Sequence, residues 1–193
     1  MAISDTLKKL RDETGVSVMQ CKKALDEAGG DLEKAKIILR KVSSSAASKK
    51  ADRTLGAGIV AAYIHAGGSV VGAIVLGCET DFVAKNEDFK KLAYDIAMHV
   101  AAMNPQFRAR EDIKEADLVS AREVFEKEAT NVPEIARTKA VQGKVDKYFS
   151  ERILLEQPFI KDSTLSVRGL LESAVQKFGE KIEVVRFERL SVK

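Results

Sequence analysis

Two histidines, His65 and His99, and two cysteines, Cys21 and Cys78, are all the imidazoles and thiols that this chain of 193 residues offers. They stand in no H-E-x-x-H or C-x-x-C arrangement, and no G-x-x-x-x-G-K-[ST] loop is present to cradle a phosphate. Gly67-Gly68-Ser69-Val70-Val71 fails the G-x-S-x-G nucleophile elbow at its last position. Gly56-Ala57-Gly58-Ile59-Val60-Ala61 fits the loose G-x-G-x-x-A pattern of dinucleotide binding. That fingerprint needs a strand before it and a helix after it, and here a strand follows. Both histidines therefore read as structural. Both cysteines read as buried thiols in a reducing compartment. The chain is expected to be no enzyme and to hold no metal or cofactor.

The stretch with the most unusual chemistry is Cys78-Glu79-Thr80-Asp81-Phe82-Val83-Ala84-Lys85-Asn86, which leaves an apolar strand and enters a helix without a glycine or proline. Thr80 is expected to cap a short helical turn through its hydroxyl, with Asp81 at the positive end of the backbone dipole. Asn86 offers a second cap, with Glu87 and Asp88 in the first turn behind it. On these cues alone, Phe82 and Val83 read as core residues under a corner.

Stepping from residues to elements, the first forty residues read as three short helices. Ser4 caps the first, which stops near Gly15. Ser17 and Gln20 form a capping box for the second, which runs to the Gly29-Gly30 stop, and Asp31 caps the third. Met19, at a loop-to-helix corner, suits an adaptable contact surface. Ser43-Ser44-Ser45-Ala46-Ala47-Ser48-Lys49-Lys50 has no large apolar residue to bury and reads as a linker, with Lys49, Lys50 and Arg53 solvated. Gly58 to His65 and Val70 to Gly77, joined through Gly67-Gly68, read as a β-hairpin. Phe89, Leu92, Ala93, Ile96, Ala97, Val100 and Met103 follow a 3.6-residue period up to Asn104-Pro105, so this helix packs on the hairpin. A charged helical hairpin, about 116–156, is interrupted at Asn131-Val132-Pro133, and Val141, Val145, Tyr148 and Arg152 form its seam. A helix from Leu165 to Phe178 stops at Gly179. Ile182 to Val192 is a closing strand beside the hairpin.

The fold class is thus α+β. Residues 1–42 form a three-helix docking module like the ubiquitin-associated fold, residues 43–55 a linker, and residues 56–193 a core with a three-stranded antiparallel sheet and a helical arm.

Thr80-Asp81-Phe82-Val83-Ala84-Lys85-Asn86-Glu87-Asp88-Phe89 resembles the signature segment of the elongation factor Ts family. Leu10-Arg11-Asp12-Glu13-Thr14-Gly15 followed by Met19-Gln20-Cys21-Lys22-Lys23-Ala24-Leu25 is similar to that family's other signature, at the expected separation. The likeness extends to Gln157-Pro158-Phe159 and Val185-Arg186-Phe187-Glu188-Arg189. It implies a guanine nucleotide exchange factor that grips the GDP form of elongation factor Tu and its nucleotide-free form. Thr80, Asp81, Phe82 and Val83 would disturb the GTPase's magnesium site. Arg11, Val18, Met19, Lys22, His65 and Asn86 would make partner contacts, with Val18 standing where the family often carries a second methionine. Longer family members carry two hairpin-plus-helix units where this chain has one, and the arm looks shortened. Because both faces of the hairpin are apolar, a homodimer through the sheet is expected. The rival cover is the arm folding back over the sheet.

Composition agrees with an ordinary globular chain. Hydrophobic residues make up 45%, and 32 basic residues against 29 acidic give a net charge of +3, too small to announce a nucleic-acid partner. The alternative reading is a nucleic-acid-binding module on the N-terminal helices and Lys49-Lys50-Arg53. It lacks aromatics interleaved with those bases, since aromatics are 6% of the chain. The longest apolar run, near Ile59 to Leu76, is broken by His65, Gly67, Gly68 and Ser69, so no membrane span or secretory segment is expected. Those features favour the cytoplasm.

Overall fold

The computed structural model describes residues 5–131 and 133–192; the expected cap Ser4 and the interruption at Val132 lie outside them. Three helices open the chain: α1 (Asp5–Thr14), α2 (Val18–Glu27) and α3 (Leu32–Ser48). Local chemistry sets their ends. Ser17 Oγ accepts from the Gln20 amide, and Asp31 Oδ1 accepts from the Glu33 and Lys34 amides at 3.0 Å each. Leu7, Leu10, Val16, Cys21, Ala24, Leu25, Ala35 and Leu39 close a small core of their own.

The serine-rich stretch read as a linker is instead the last third of α3. Ser43 is buried, its hydroxyl within hydrogen-bond distance of the Leu39 carbonyl and of the Gln176 side-chain amide, while Ser44 donates to Glu172. Small side chains here permit close helix–helix packing on α8 (Val167–Phe178) rather than flexibility. Arg53, expected to be solvated, lies across the Glu79 carboxylate at 3.2 and 3.3 Å.

The hairpin forms as expected from β1 (Ala57–Ile64) and β2 (Val70–Cys78), and β5 (Glu183–Ser191) adds antiparallel to β2, giving the order β1-β2-β5. Pairing of Ile59 with Leu76 and of Val60 with Val75 fixes the faces. Ile59, Ala61 and Tyr63 therefore share a face with Ile74 and Leu76. Val60, Ala62 and Ile64 share the opposite face with Val71, Ala73 and Val75.

Two helices follow β2: the single turn α4 (Asp81–Lys85) and the long α5 (Glu87–Met103). Helix α5 lays Phe89, Ala93, Ile96, Ala97 and Val100 on the inner sheet face, and α8 completes that core with Val167, Leu171 and Val175. Asn104 ends α5 in the left-handed region at φ 48°.

The arm consists of α6 (Glu115–Glu128) and α7 (Glu134–Ser150), ending earlier than the 156 expected. Val141, Val145 and Phe149 pack inside it, and the Arg152 guanidinium lies 3.6 Å from the Tyr148 ring centroid. Residues beyond α7 return to the main core through Leu154. A short hairpin, β3 (Pro158–Phe159) and β4 (Asp162–Ser166), precedes α8. Leu165 and Ser166, expected to be helical, are strand residues, because Ser166 Oγ caps α8 by accepting from the Gly169 amide.

His99 ties the arm to the core. Its Nδ1 accepts from the Ile160 amide at 3.2 Å, so the proton sits on Nε2 and is donated to Gln157 Oε1 at 3.0 Å. Gln157 in turn donates to the Met103 and Glu151 carbonyls at the two roots of the arm. Burial holds the imidazole below its ordinary pKa. No helix among the described residues is long and apolar enough to cross a membrane.

Candidate functional site

The joint between β2 and α4 is two residues long, Glu79 and Thr80. Thr80 was expected to cap α4 through its hydroxyl, and it does not. That hydroxyl donates to Glu180 Oε1 at 2.5 Å, and the amides of Glu79 and Thr80 donate to Glu180 Oε2 at 3.1 and 3.0 Å. The hydroxyl's bond to an ionised carboxylate is stronger than the neutral bond it would accept from a helix amide, so the side chain turns to Glu180. Glu79 reciprocates by accepting from the Lys181 amide at 2.6 Å. That bond, followed by the Arg53 guanidinium, holds the Glu79 carboxyl below its ordinary pKa.

One turn of helix then divides its side chains sharply. Val83 and Ala84 are buried in the main core. Phe82 is 85% exposed. The reading of Phe82 as a core residue is therefore corrected, and the reading of Val83 as a core residue holds. Helical geometry explains the division, because neighbouring residues on a turn point about 100° apart and only one face of α4 meets the sheet. Asp81 pairs with Lys85 at 2.5 Å on the outer face, and this bond keeps its carboxyl below the usual range. Asn86 Oδ1 accepts from the Asp88 amide at 2.9 Å, so its side chain caps α5.

The other residues singled out in the sequence fall into two groups. Arg11 and Lys22 are exposed and Met19 is 82% exposed, whereas Val18 is half-buried against the N-terminal core. Lys177 links this module to α5: it donates to Asp88 Oδ2 at 2.7 Å, and its stem lies beside Gly15 in the α1–α2 loop. The loop that precedes Met19 and the helix start that follows Phe82 thus border the same end of α8. His65 stands apart. It follows β1 at the hairpin turn, about 26 Å along the strand from the Cys78 end, and its Nδ1 shares a hydrogen bond with the Tyr63 hydroxyl at 3.2 Å.

Glu180 and Lys177 escaped the sequence reading, as did the bonds that Glu79 and Arg53 make. Their partners lie up to 102 residues away, and nothing local marks them.

An exposed aromatic on a turn anchored in the core, with the N-terminal helices bordering the same end of α8, offers a surface on which another macromolecule can dock. A sequence profile described as Elongation factor TS matches residues 90–193. Elongation factor Ts of Desulforamulus reducens is 46% identical over 185 residues, covering 95% of this chain and 85% of that protein. Those of Moorella thermoacetica and Thermotoga maritima are 45% and 43% identical, covering 100% and 97% of this chain and 96% and 94% of theirs. The chain belongs to the elongation factor Ts family.

Proposed function

We infer that this chain is the guanine nucleotide exchange factor of elongation factor Tu, acting by contact alone and without covalent chemistry of its own. Family membership supports this and does not favour a nucleic-acid-binding module. The observation that carries the mechanism is the 85% exposure of Phe82 on a turn whose neighbours Val83 and Ala84 are buried. An aromatic held this way does not stabilise its own fold and is preorganised for a partner.

In the proposed mechanism Thr80, Asp81 and Phe82 press against the magnesium site of the GTPase, with Val83 anchoring the turn from below. Displacing the ion leaves pyrophosphate charge uncompensated and loosens GDP. Linkage then requires that GDP weaken the factor's hold as much as the factor weakens GDP, so incoming nucleotide releases it. Release of fluorescent GDP from elongation factor Tu, with and without this protein, tests the reading: acceleration is expected, and an unchanged rate at saturating protein contradicts it. A cytoplasmic location is proposed with that partner.

The N-terminal module, 1–42, is proposed to be a docking unit of the ubiquitin-associated type, with Arg11, Met19 and Lys22 outward, Val18 supporting them, and residues 43–55 joining it to the core. A chain lacking residues 1–40 keeps Ser43 and Ser44 for their contacts with α8. It is expected to fold by circular dichroism and to need at least about tenfold more protein for half-maximal exchange, as loss of a contact surface does. An unfolded remainder would overturn the division. Asn86 and His65 are proposed as further contacts, His65 to a separate part of the partner.

The protein is also proposed to be a homodimer. Val60 and Ile64 on β1 and Leu190 on β5 are 76%, 67% and 66% exposed on the outer sheet face, which neither α5 nor the arm covers. The Ile64, Val71 and Leu190 row is continuous across all three strands. An open apolar face of this kind is ordinarily an interface. Light scattering at micromolar concentration is expected to give twice the chain mass, and Ile64→Lys to halve it. A monomer mass for the unaltered protein would refute the dimer.

A further inference from the structure

We propose that Glu180 is a positioning residue for nucleotide exchange: its carboxylate fixes the joint between β2 and α4 and thereby sets the attitude of Phe82 towards the GTPase. This rests on the reading of the Phe82 turn as the exchange-active element.

The joint needs an external hold. The ladder of β2 ends at Cys78 and α4 begins at Asp81, so the Glu79 and Thr80 amides precede the first helical turn. Such amides lack intrahelical acceptors. Glu180 accepts from both of them and from the Thr80 hydroxyl, three donors on one carboxylate. Bonds to an ionised acceptor are stronger than neutral ones and fix direction.

Glu180 is itself well fixed. Gly179 ends α8 at φ 74°, a conformation that suits glycine and turns the chain so that the next residue meets the joint. Three residues on, β5 pairs with β2, Glu183 opposite Gly77. The Lys181 amide is held by Glu79, so the two segments grip each other in both directions. Asp81 contributes nothing to this hold, since its partner Lys85 lies on the same turn. Helix α4 is thus pinned by Glu180 at its start and by Val83 and Ala84 below, and Phe82 is the large apolar side chain of the turn left facing outward.

The test is stopped-flow release of fluorescent GDP from elongation factor Tu over a range of protein concentrations, with thermal melts of each variant. Glu180→Ala is expected to lower the maximal release rate about tenfold, as misplacement of a reacting element does. The half-saturating concentration should stay within about twofold, because the Met19 surface is untouched. Glu180→Gln, whose carbonyl still accepts, should recover part of the rate. Thr80→Val should slow release and add nothing when combined with Glu180→Ala, as members of one bonded unit behave. A folded Glu180→Ala protein with the unaltered maximal rate overturns the proposal, as does a change confined to half-saturation. If Glu180→Ala fails to fold, Glu180→Asp, which withdraws the carboxylate from the three donors by one methylene, decides by the same two readouts. Phe82→Ala measured alongside separates the claims. A slow Phe82→Ala with a fast Glu180→Ala removes only the positioning role, whereas an unaltered Phe82→Ala removes the exchange site itself.

Discussion

Phe82→Ala is expected to slow stimulated GDP release about thirtyfold while leaving the melting temperature unchanged. The magnitude is that of a central aromatic contact, about 2 kcal/mol at an interface. The insensitivity of the fold follows from the exposure of the ring, which is 85%. Trimming an exposed side chain changes stability by no more than about 0.5 kcal/mol. Val83→Ala provides the contrast one residue away. Val83 is buried in the main core, so its truncation should lower the melting temperature. Stopped-flow kinetics and melts on the two variants therefore separate contact from packing within a single helical turn. A Phe82→Ala protein that melts early and exchanges normally per folded molecule would return the ring to the core.

Gly72→Ala is expected to cost about 3 kcal/mol of folding stability, or about 10 °C in melting temperature for a chain of this size. The reason is the closeness of α5 to β2. A Cβ at Gly72 would stand 2.2 Å from the Ala97 carbonyl oxygen and 2.6 Å from the Ala101 amide nitrogen. Both obstacles are backbone atoms of α5, so no side chain can swing aside. The strand and helix would have to separate, and Phe89, Ile96 and Val100 would lose packing with them. Gly143→Ala in α7 is the control, with nothing within 4 Å of the added carbon. It should be neutral or stabilise by up to about 1 kcal/mol, as alanine in place of a helical glycine does. Denaturant titration of the pair checks both signs. An unchanged midpoint for Gly72→Ala would mean that α5 does not lie on the sheet as described.

What could be read from the sequence was the chemistry of neighbours. Ser17 with Gln20, Asp31, Asn86 and Gly179 each mark a helix end through atoms within a few residues, and each appears in the structure at that end. The hydrophobic period of α5 likewise showed which side faces the sheet. What escaped depended on distant partners. The serines of α3 look like a flexible joint until Gln176 and Glu172 are placed beside them. Thr80 looks like a cap until Glu180 arrives from the far end of the chain. The two sheet faces could not be assigned without the register, because Val and Ile alternate with Ala on both sides and a shift of one residue exchanges them. The short β3–β4 hairpin, built on the polar run Asp162-Ser163-Thr164-Leu165-Ser166, carries no hydrophobic alternation at all.

The same limits apply to the candidate site. The resemblance pointed to Thr80-Asp81-Phe82-Val83 as one unit, and the structure divides that unit by solvent exposure: Phe82 outward, Val83 inward, Thr80 tethered and Asp81 paired on its own turn. Chemistry at the surface and anchorage beneath it come from adjacent residues, which is why the string, reading both as core, placed Val83 and misplaced Phe82.

The most direct test of the mechanism is the magnesium dependence of GDP release from elongation factor Tu, measured with and without this protein at saturating concentration. If the Phe82 turn works by dislodging the ion, chelating magnesium does part of its task in advance. The acceleration produced by the protein must then be clearly smaller in chelator than in millimolar magnesium, with Phe82→Ala showing little difference between the two. An acceleration of the same factor in both conditions would contradict the account.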